Sequence, residues 1–371
     1  MRRAAGLLAV VALVVGVVAA GYVVADAGSS RNSRVHTRAP STGAPPSSAP
    51  SSSATSTTTA APSQPSPVTF AFGGDVHFEG TLRSRAVADP GALLAPIARV
   101  LASADVAVVN LETAVTDRGT PAPKQYTFRA PVAGLVALRD AGVDVATMAN
   151  NHGMDYGAVG LEDSLAASRS TGFPVIGIGE NAAQAYAPWR TVVRGTRVAV
   201  MGATQVLDDV VRTAWTATDT HAGLASAKEI DRFLDEVRAV RPTTDVLVVY
   251  VHWGVEGATC PTSAQQTLAR QLVEAGADVV VGSHSHRVEG AGRLGDALVD
   301  YGLGNFVFYN ESGPSGVSGV LKVTTTGRHV DAYAWVPAAI GSGVPRPLSG
   351  AAASAAAGSW TSARSCTGLG P

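Results

Sequence analysis

The sequence predicts an α/β layered fold built on a mainly parallel sheet. Between Val68 and Pro337, short β-branched runs alternate with amphipathic helical stretches, and strand–helix–strand order implies parallel pairing. The strand candidates are also apolar almost throughout, "DVAVVNLE", "DVLVVYVHWG" and "ADVVVGSHSH" among them. That is the pattern of strands covered on both faces.

The first strand candidate, "VTFAFGGD", ends at Gly73-Gly74-Asp75. A helical stretch around "PGALLAPIARVLAS" follows. "DVAVVNLE" ends at Asn110 and Glu112, "VDVATMANNH" at Asn150, Asn151 and His152, and "DVLVVYVHWG" delivers His252. In "SAQQTLARQLVEAG" apolar residues recur at three and four, and Gly276 suits the left-handed residue that closes a helix. "ADVVVGSHSH" then delivers His284 and His286. His221 sits in an irregular stretch and His329 in a predicted hairpin turn, and both read as bystanders.

The flanks differ from this body. Arg2 and Arg3 precede an apolar run from Ala4 to Val24, roughly 20 residues, enough to cross a bilayer core as a helix. A retained signal-anchor is one reading; cleavage after the small-x-small Ala25-Asp26-Ala27 is the other. Both export the remainder. Residues 28–67 are rich in Ser, Thr, Pro and Ala, too apolar-poor to offset their ordering entropy, and read as a linker. The expected organisation is a signal-anchor or signal peptide over 1–27, that linker, a domain over 68–340 and a C-terminal tail over 341–371. In an exported chain, Cys260 and Cys366 form a candidate disulfide that would pin the tail beside "HWGVEGATC"; two unpaired thiols are the alternative. A net charge of −1, from 28 basic and 29 acidic residues, argues for no nucleic-acid partner.

Polar residues often follow strands, so one such end means little. Here five strand ends carry Asp, Glu, Asn or His, and five of the eight histidines sit there: His77, His152, His252, His284 and His286. In open α/β sheets, sites form at the carboxyl ends of strands. Carboxylate, imidazole and amide oxygen without thiolate suit a divalent ion such as Mn, Fe, Zn or Ni. More than four candidate ligands predict two ions, and such a pair can clamp both oxygens of an in-line displacement and supply hydroxide near neutrality. His284 and His286, alternate residues leaving an extended strand, are expected to point alike and to feed one ion each.

The ordered motifs "GGDVHFEG", "VVNLETAVTDRG", "ANNHGMDYG", "VHWGVEG", "VVGSHSHRVEG" and "YGLGNFVF" resemble the CapA family of capsule (poly-γ-glutamate) synthesis proteins. That family in turn resembles the calcineurin-like metallophosphoesterases. The resemblance implies a four-layer α/β/β/α sandwich with a dinuclear metal centre over 68–340. It implies Asp75, His77 and His286 as ligands of one ion, and Asn151, His252 and His284 as ligands of the other. Glu112 stands where the superfamily has its bridging aspartate, and its extra methylene changes how a carboxylate spans two ions. His152 matches the histidine that protonates the leaving group. Lys124 and Arg129, in "PKQYTFRAP", match a basic segment that would hold an anionic substrate, a solvated loop being the alternative. Asp155, Glu256 and Asn305 are expected to orient ligands; a helix cap for Asp155 and a turn role for Asn305 compete with this.

The expected function is that of a CapA-like protein outside the cytoplasm, held by its N-terminal membrane helix or secreted if that is cleaved. Two divalent ions would serve hydrolysis or transfer on an anionic envelope polymer, or on a small-molecule ester or amide. The competing class is a non-catalytic accessory protein that binds metal and polymer during export or anchoring, beside other capsule-synthesis proteins.

Overall fold

Side chains along each central strand alternate between two apolar layers, and that alternation builds the fold. A computed structural model describes residues 66–371; the expected membrane helix, and all but the last two residues of the linker, lie outside that range. In β1 (Val68–Val76), Phe70 and Phe72 enter one cluster while Ala71 and Val76 enter another. β2 (Val106–Leu111) divides likewise, with Val106 and Val108 on one side and Ala107, Val109 and Leu111 on the other. β3 (Val145–Thr147) and β4 (Val175–Ile176) extend the parallel pairing.

The chain then forms a second sheet. β5 (Trp189–Val193) turns back antiparallel onto β6 (Thr196–Thr204), which pairs in parallel with β7 (Val246–His252), and β7 with β8 (Val279–Ser283). β9 (Ala291–Leu294) and β10 (Ala297–Asp300) complete its far edge. Val198, Val200, Val246, Val248 and Tyr250 pack with Phe70, Phe72, Val106 and Val108 in one cluster between the sheets. Helices Thr81–Ala88, Ala133–Asp140 and Gly157–Thr171 cover the outer face of the first sheet through Leu82, Leu135, Leu138 and Leu161. Helices Ile230–Val240 and Ser263–Ala275 cover the second through Phe233, Val237, Leu268 and Leu272. The layers therefore run helix, sheet, sheet, helix. Among the described residues no helix is long and apolar enough to cross a membrane.

Three features depart from the expected pattern. The first sheet is mixed: β11 (Asn305–Val307) is parallel to β1, but β12 (Val317–Thr326) and β13 (His329–Gly341) form a tight hairpin whose first strand pairs antiparallel with β1. A connection that short permits only antiparallel pairing. The helical stretch at 90–101 breaks at Leu94 into Pro90–Leu93 and Ala95–Leu101. Pro96 lacks the N–H that a continuous helix would need from it. The boundary expected at 340 falls inside β13, and β14 (Val344–Pro347) adds to the same sheet. Beyond it, Trp360 of helix Gly350–Ala363 stacks on Trp335 (5.8 Å, 10°).

Close approach explains two glycines. A Cβ on Gly74 would lie 1.9 Å from the Gly304 carbonyl, and one on Gly282 would lie 2.1 Å from that of Tyr301. Both positions underlie the loops that carry ligand-type residues.

Cys260 and Cys366 are joined in a disulfide, their Cα atoms 5.8 Å apart and 106 positions apart in sequence. Both residues are exposed, so packing contributes little and restriction of the unfolded chain dominates. Closing a loop that long stabilises by about 4–5 kcal/mol on a chain-entropy account. The tail has a second tie, the paired backbone bonds of Gly370 and Arg293. Cys366→Ser should therefore shift the guanidinium midpoint down while leaving a cooperative transition, and reductant should shift the native protein by the same amount and the variant not at all.

Glu289 and Asp300 form a buried acidic pair. Both Glu289 carboxylate oxygens and Asp300 Oδ2 lack hydrogen-bond partners. Burial pushes Glu289 up to about 7, and burial with the neighbouring Glu289 pushes Asp300 up to about 8. Each carboxyl holds its proton more tightly folded than unfolded, so the stability it contributes is complete below about pH 4 and is lost as pH rises through these values. Melting temperature should fall between pH 5 and 8.5, and Asp300→Asn should flatten that fall. A pH-independent melting temperature in the native protein would contradict the burial.

Candidate metal centre

The carboxyl ends of β1, β2 and β3 in one sheet, and of β7 and β8 in the other, meet at one edge of the sandwich. Tyr250 of β7 donates its hydroxyl to the Gly73 carbonyl of β1 (2.9 Å) directly below that edge. Asp75 lies in register with Asn110 of β2 and Asn305 of β11. Asn110 Nδ2 donates to Asp75 Oδ1 (2.8 Å) and faces His252 Nδ1 (3.1 Å), so a single amide joins the two sheets. Asn150 Nδ2 donates to Asn110 Oδ1 (3.0 Å) and fixes the loop that carries Asn151 and His152. Burial opposes ionisation of Asp75, but His286, with Nδ1 3.2 Å from Oδ2, together with His252 and the Asn110 amide outweighs it and holds the carboxyl at about 2.

Glu112 follows β2. It is fully buried, yet neither of its oxygens has a hydrogen-bond partner. Burial and then Asp75 push its pKa up to about 8. Its neighbours are ligand types: His252 Nε2 lies 3.5 Å and His152 Nε2 3.9 Å from Oε1. One ligand atom each from Glu112, His284 and His286 lie within 4.8 Å of one another. His284 Nδ1 is buried and also partnerless. Partnerless buried polar atoms are rare and costly. Carboxylate oxygen and imidazole nitrogen turned to one spot, with no donor supplied, fit a divalent transition ion.

His252 is fully buried; its Nδ1 meets Ser283 Oγ (3.0 Å) and its Nε2 meets Asn151 Oδ1 (2.8 Å). Burial lowers its pKa to about 3 and drives that of His284 well down, leaving both rings in the neutral form that ligates metal. His286 behaves differently. Burial opposes its charge, but Glu112 and Asp75 push it up to about 9. Asn305 Oδ1 accepts from its Nδ1 (2.8 Å).

The extended geometry expected for His284 and His286 is not found. β8 ends at Ser283, and the two histidines take left-handed conformations, with φ of 100° and 54°. Such values are unfavourable for residues with a Cβ, and surrounding bonds must hold them. Gly257 N–H donates to Ser285 O (2.8 Å) and Trp253 N–H to Ser283 O (3.0 Å), so the loop after β7 braces the turn. The rings still converge, with centroids 6.0 Å apart.

His152 Nδ1 bonds Asp155 Oδ2 (2.5 Å), which leaves Nε2 toward Glu112. Asp155 is fully buried and also takes the Phe128 N–H (2.6 Å) and Lys124 Nζ (2.8 Å). It caps no helix, because Tyr156 precedes Gly157–Thr171. Lys124, expected to hold an anion, is turned inward, with its side chain 14% exposed and its ammonium on Asp155 and the Asn151 carbonyl. Arg129 lies over the Tyr156 ring (5.2 Å). Glu256 is exposed in the loop after His252 and is one of the charges that favour protonated His286.

His77 is buried outside the Glu112–His284–His286 group. Its Nδ1 faces the Glu79 N–H (3.1 Å) and its Nε2 the Tyr309 N–H (3.3 Å). A neutral imidazole has one acceptor, so it satisfies only one of these donors. Ligation through Nε2 requires Tyr309 to release it. His221 and His329 are exposed, as expected of bystanders. Asn110, Asn150, Ser283 and Phe128 were not singled out as site residues from sequence. The two asparagines do close strands in the pattern, but nothing there separates a bridging amide from a solvated one.

The chain is 33% identical over 193 residues to the capsule biosynthesis protein CapA of Bacillus anthracis, covering 50% of this chain and 45% of that one. It is 30% identical over 212 residues to the PGA biosynthesis protein CapA of Bacillus subtilis strain 168, covering 56% and 54%. The chain thus spans about half the length of the curated relatives it matches. Among solved structures, a 5'-nucleotidase from Candida albicans aligns at a TM-score of 0.42 and 12% identity, over 80% of this chain and 57% of that one. Residues 69–310 match the bacterial capsule synthesis protein family PGA_cap, and the chain belongs to that family.

Proposed function

We propose that the protein works outside the cytoplasm as a metal-dependent hydrolase or transferase on an anionic envelope substrate, within capsule-type polymer synthesis. The observation that carries this reading is His152: its Nδ1 is locked by Asp155 and its Nε2 faces the partnerless Glu112. A binding site has no use for a proton donor so arranged, whereas bond cleavage needs one at the leaving group. Family membership and the names of the Bacillus relatives support the polymer context. The Cys260–Cys366 bridge supports export, since disulfides persist in oxidising compartments. The apolar N-terminal run supports a membrane anchor or a cleaved signal.

Two divalent ions are proposed. Asp75 and His286 would hold one, joined by His77 when Tyr309 yields Nε2; Asn151, His252 and His284 would hold the other, with Glu112 between. Bound there, the ions would supply Lewis-acid polarisation and an activated water. The chain's own residues do the rest. Asn305 and Ser283 set the rings of His286 and His252. Asp155 keeps the His152 proton on Nδ1 in the resting ring and stabilises the charged ring when Nε2 is also protonated. Lys124 fixes Asp155 and the Asn151 carbonyl, and so the spacing between acid and ligand.

Metal content by plasma mass spectrometry should be about two ions per chain and should drop in Glu112→Ala and His284→Ala, with the disulfide and the cooperative melt retained. His152→Ala should keep its metal and lose turnover of aryl phosphoesters or γ-glutamyl amides by about 10²–10⁴-fold. Unchanged turnover in metal-loaded His152→Ala would remove the acid role. Full metal with no turnover on any envelope ester or amide would favour a binding accessory instead.

A further inference from the structure

An unbroken series of rings runs outward from the ligand cluster. Phe128 stacks on His152 (4.1 Å) and lies 4.8 Å from His77. Phe308 is 5.0 Å from His286 and 4.1 Å from His77. Tyr309 continues the series, 4.6 Å from His77 and 5.4 Å from Phe308. The inner rings are buried, but Tyr309 is 49% exposed and Tyr126, two residues before Phe128, is 55% exposed. Tyr309 therefore connects solvent with the centre.

The cations nearest these rings each face a protein group. Lys124 is paired with Asp155, Arg129 lies over Tyr156, and the Arg287 guanidinium donates to the His286 carbonyl and Ser315 Oγ. A linear polyanion would need free ammonium or guanidinium groups along its length. The entrance offers aromatic faces in their place, and such faces bind rings through stacking.

We infer that the entrance selects a ring-bearing anion, a glycosyl or aryl phosphate rather than a linear glutamyl chain, with Tyr309 and Tyr126 stacking on the ring while the anionic group reaches the ligand cluster. The inference rests on the proposed metal centre for its anionic half, but not on turnover.

Calorimetry on the full-length, Mn-loaded protein with phosphonates, which resist hydrolysis, separates the two. Phenylphosphonate or a C-glycosyl phosphonate should bind about five- to tenfold tighter than methylphosphonate, as ring stacking adds; which of the two is preferred identifies the kind of ring. That ratio should collapse toward one in Tyr309→Leu and survive in Tyr309→Phe. Tyr126→Leu, at the other exposed tip, should also reduce it. Phosphonate binding without any ring preference, or a preference unchanged in both leucine variants, would overturn this inference alone. A tri-γ-glutamate that outcompetes the ring-bearing ligands would overturn it too. Failure of every phosphonate to bind would overturn the anion-binding centre along with it.

Discussion

Everything near the centre answers to one constraint: a fully buried Glu112 carboxyl to which the fold gives no hydrogen-bond donor. Leaving a buried polar group unmade costs about 1–3 kcal/mol, and more when it is charged. Two responses are available to it. The metal-free protein keeps the proton, as the rise to about 8 indicates, or a cation replaces that proton. The surrounding groups are arranged for the second. His252 and His284 are held neutral by burial, His284 Nδ1 has no hydrogen-bond partner, and Asp75 is held ionised against burial.

The site is divided between the two sheets. Asp75, Glu112 and Asn151 come from one; His252, His284 and His286 come from the other. Their spacing therefore depends on how the sheets pack, and the interface below them is closely determined. Phe70 and Phe72 pack against Val198, Val200 and Val248 there. Tyr250 spends its hydroxyl on the Gly73 carbonyl, and Asn110 reaches from Asp75 across to His252. A cavity opened in this layer would move one half of the clustered side chains against the other, so core volume and the spacing of those side chains are not separable properties of this fold.

Much of the plan was legible because parallel strands must end in loops on one edge. Five apolar runs that terminate in ligand-type residues announce parallel strands whose ends meet at one edge, but not that the runs divide between two sheets. The helix at Ser263–Ala275 was legible through its period and through Gly276, and the Thr262–Gln265 capping box agrees. What remained hidden depends on side-chain direction. Lys124 carries the charge of an anion holder in any sequence pattern, but burial beside Asp155 turns it inward. His284 and His286 share a spacing that suits an extended strand, but they turn left-handed, braced by bonds to Ser283 and Ser285 from the loop after β7 that no spacing reveals. A hairpin turn was legible at His329, but the antiparallel pairing of β12 with β1 was hidden within a presumption of parallel order.

The strap from Ala122 to Ala130 shows how tightly the acid and the entrance are coupled. Its Phe128 N–H and Lys124 ammonium both close on Asp155, and its Phe128 ring closes on His152. The same segment projects Tyr126 into solvent. A substrate ring that pressed on Tyr126 would therefore act on the backbone that seats Asp155, and Asp155 in turn holds the tautomer of His152. The exposed Tyr126 and the groups that close on Asp155 and His152 thus share nine residues of chain. Substitutions on this strap should not divide cleanly into effects at the surface and effects at Asp155, because one short stretch of backbone carries both Tyr126 and the groups that close on that carboxylate.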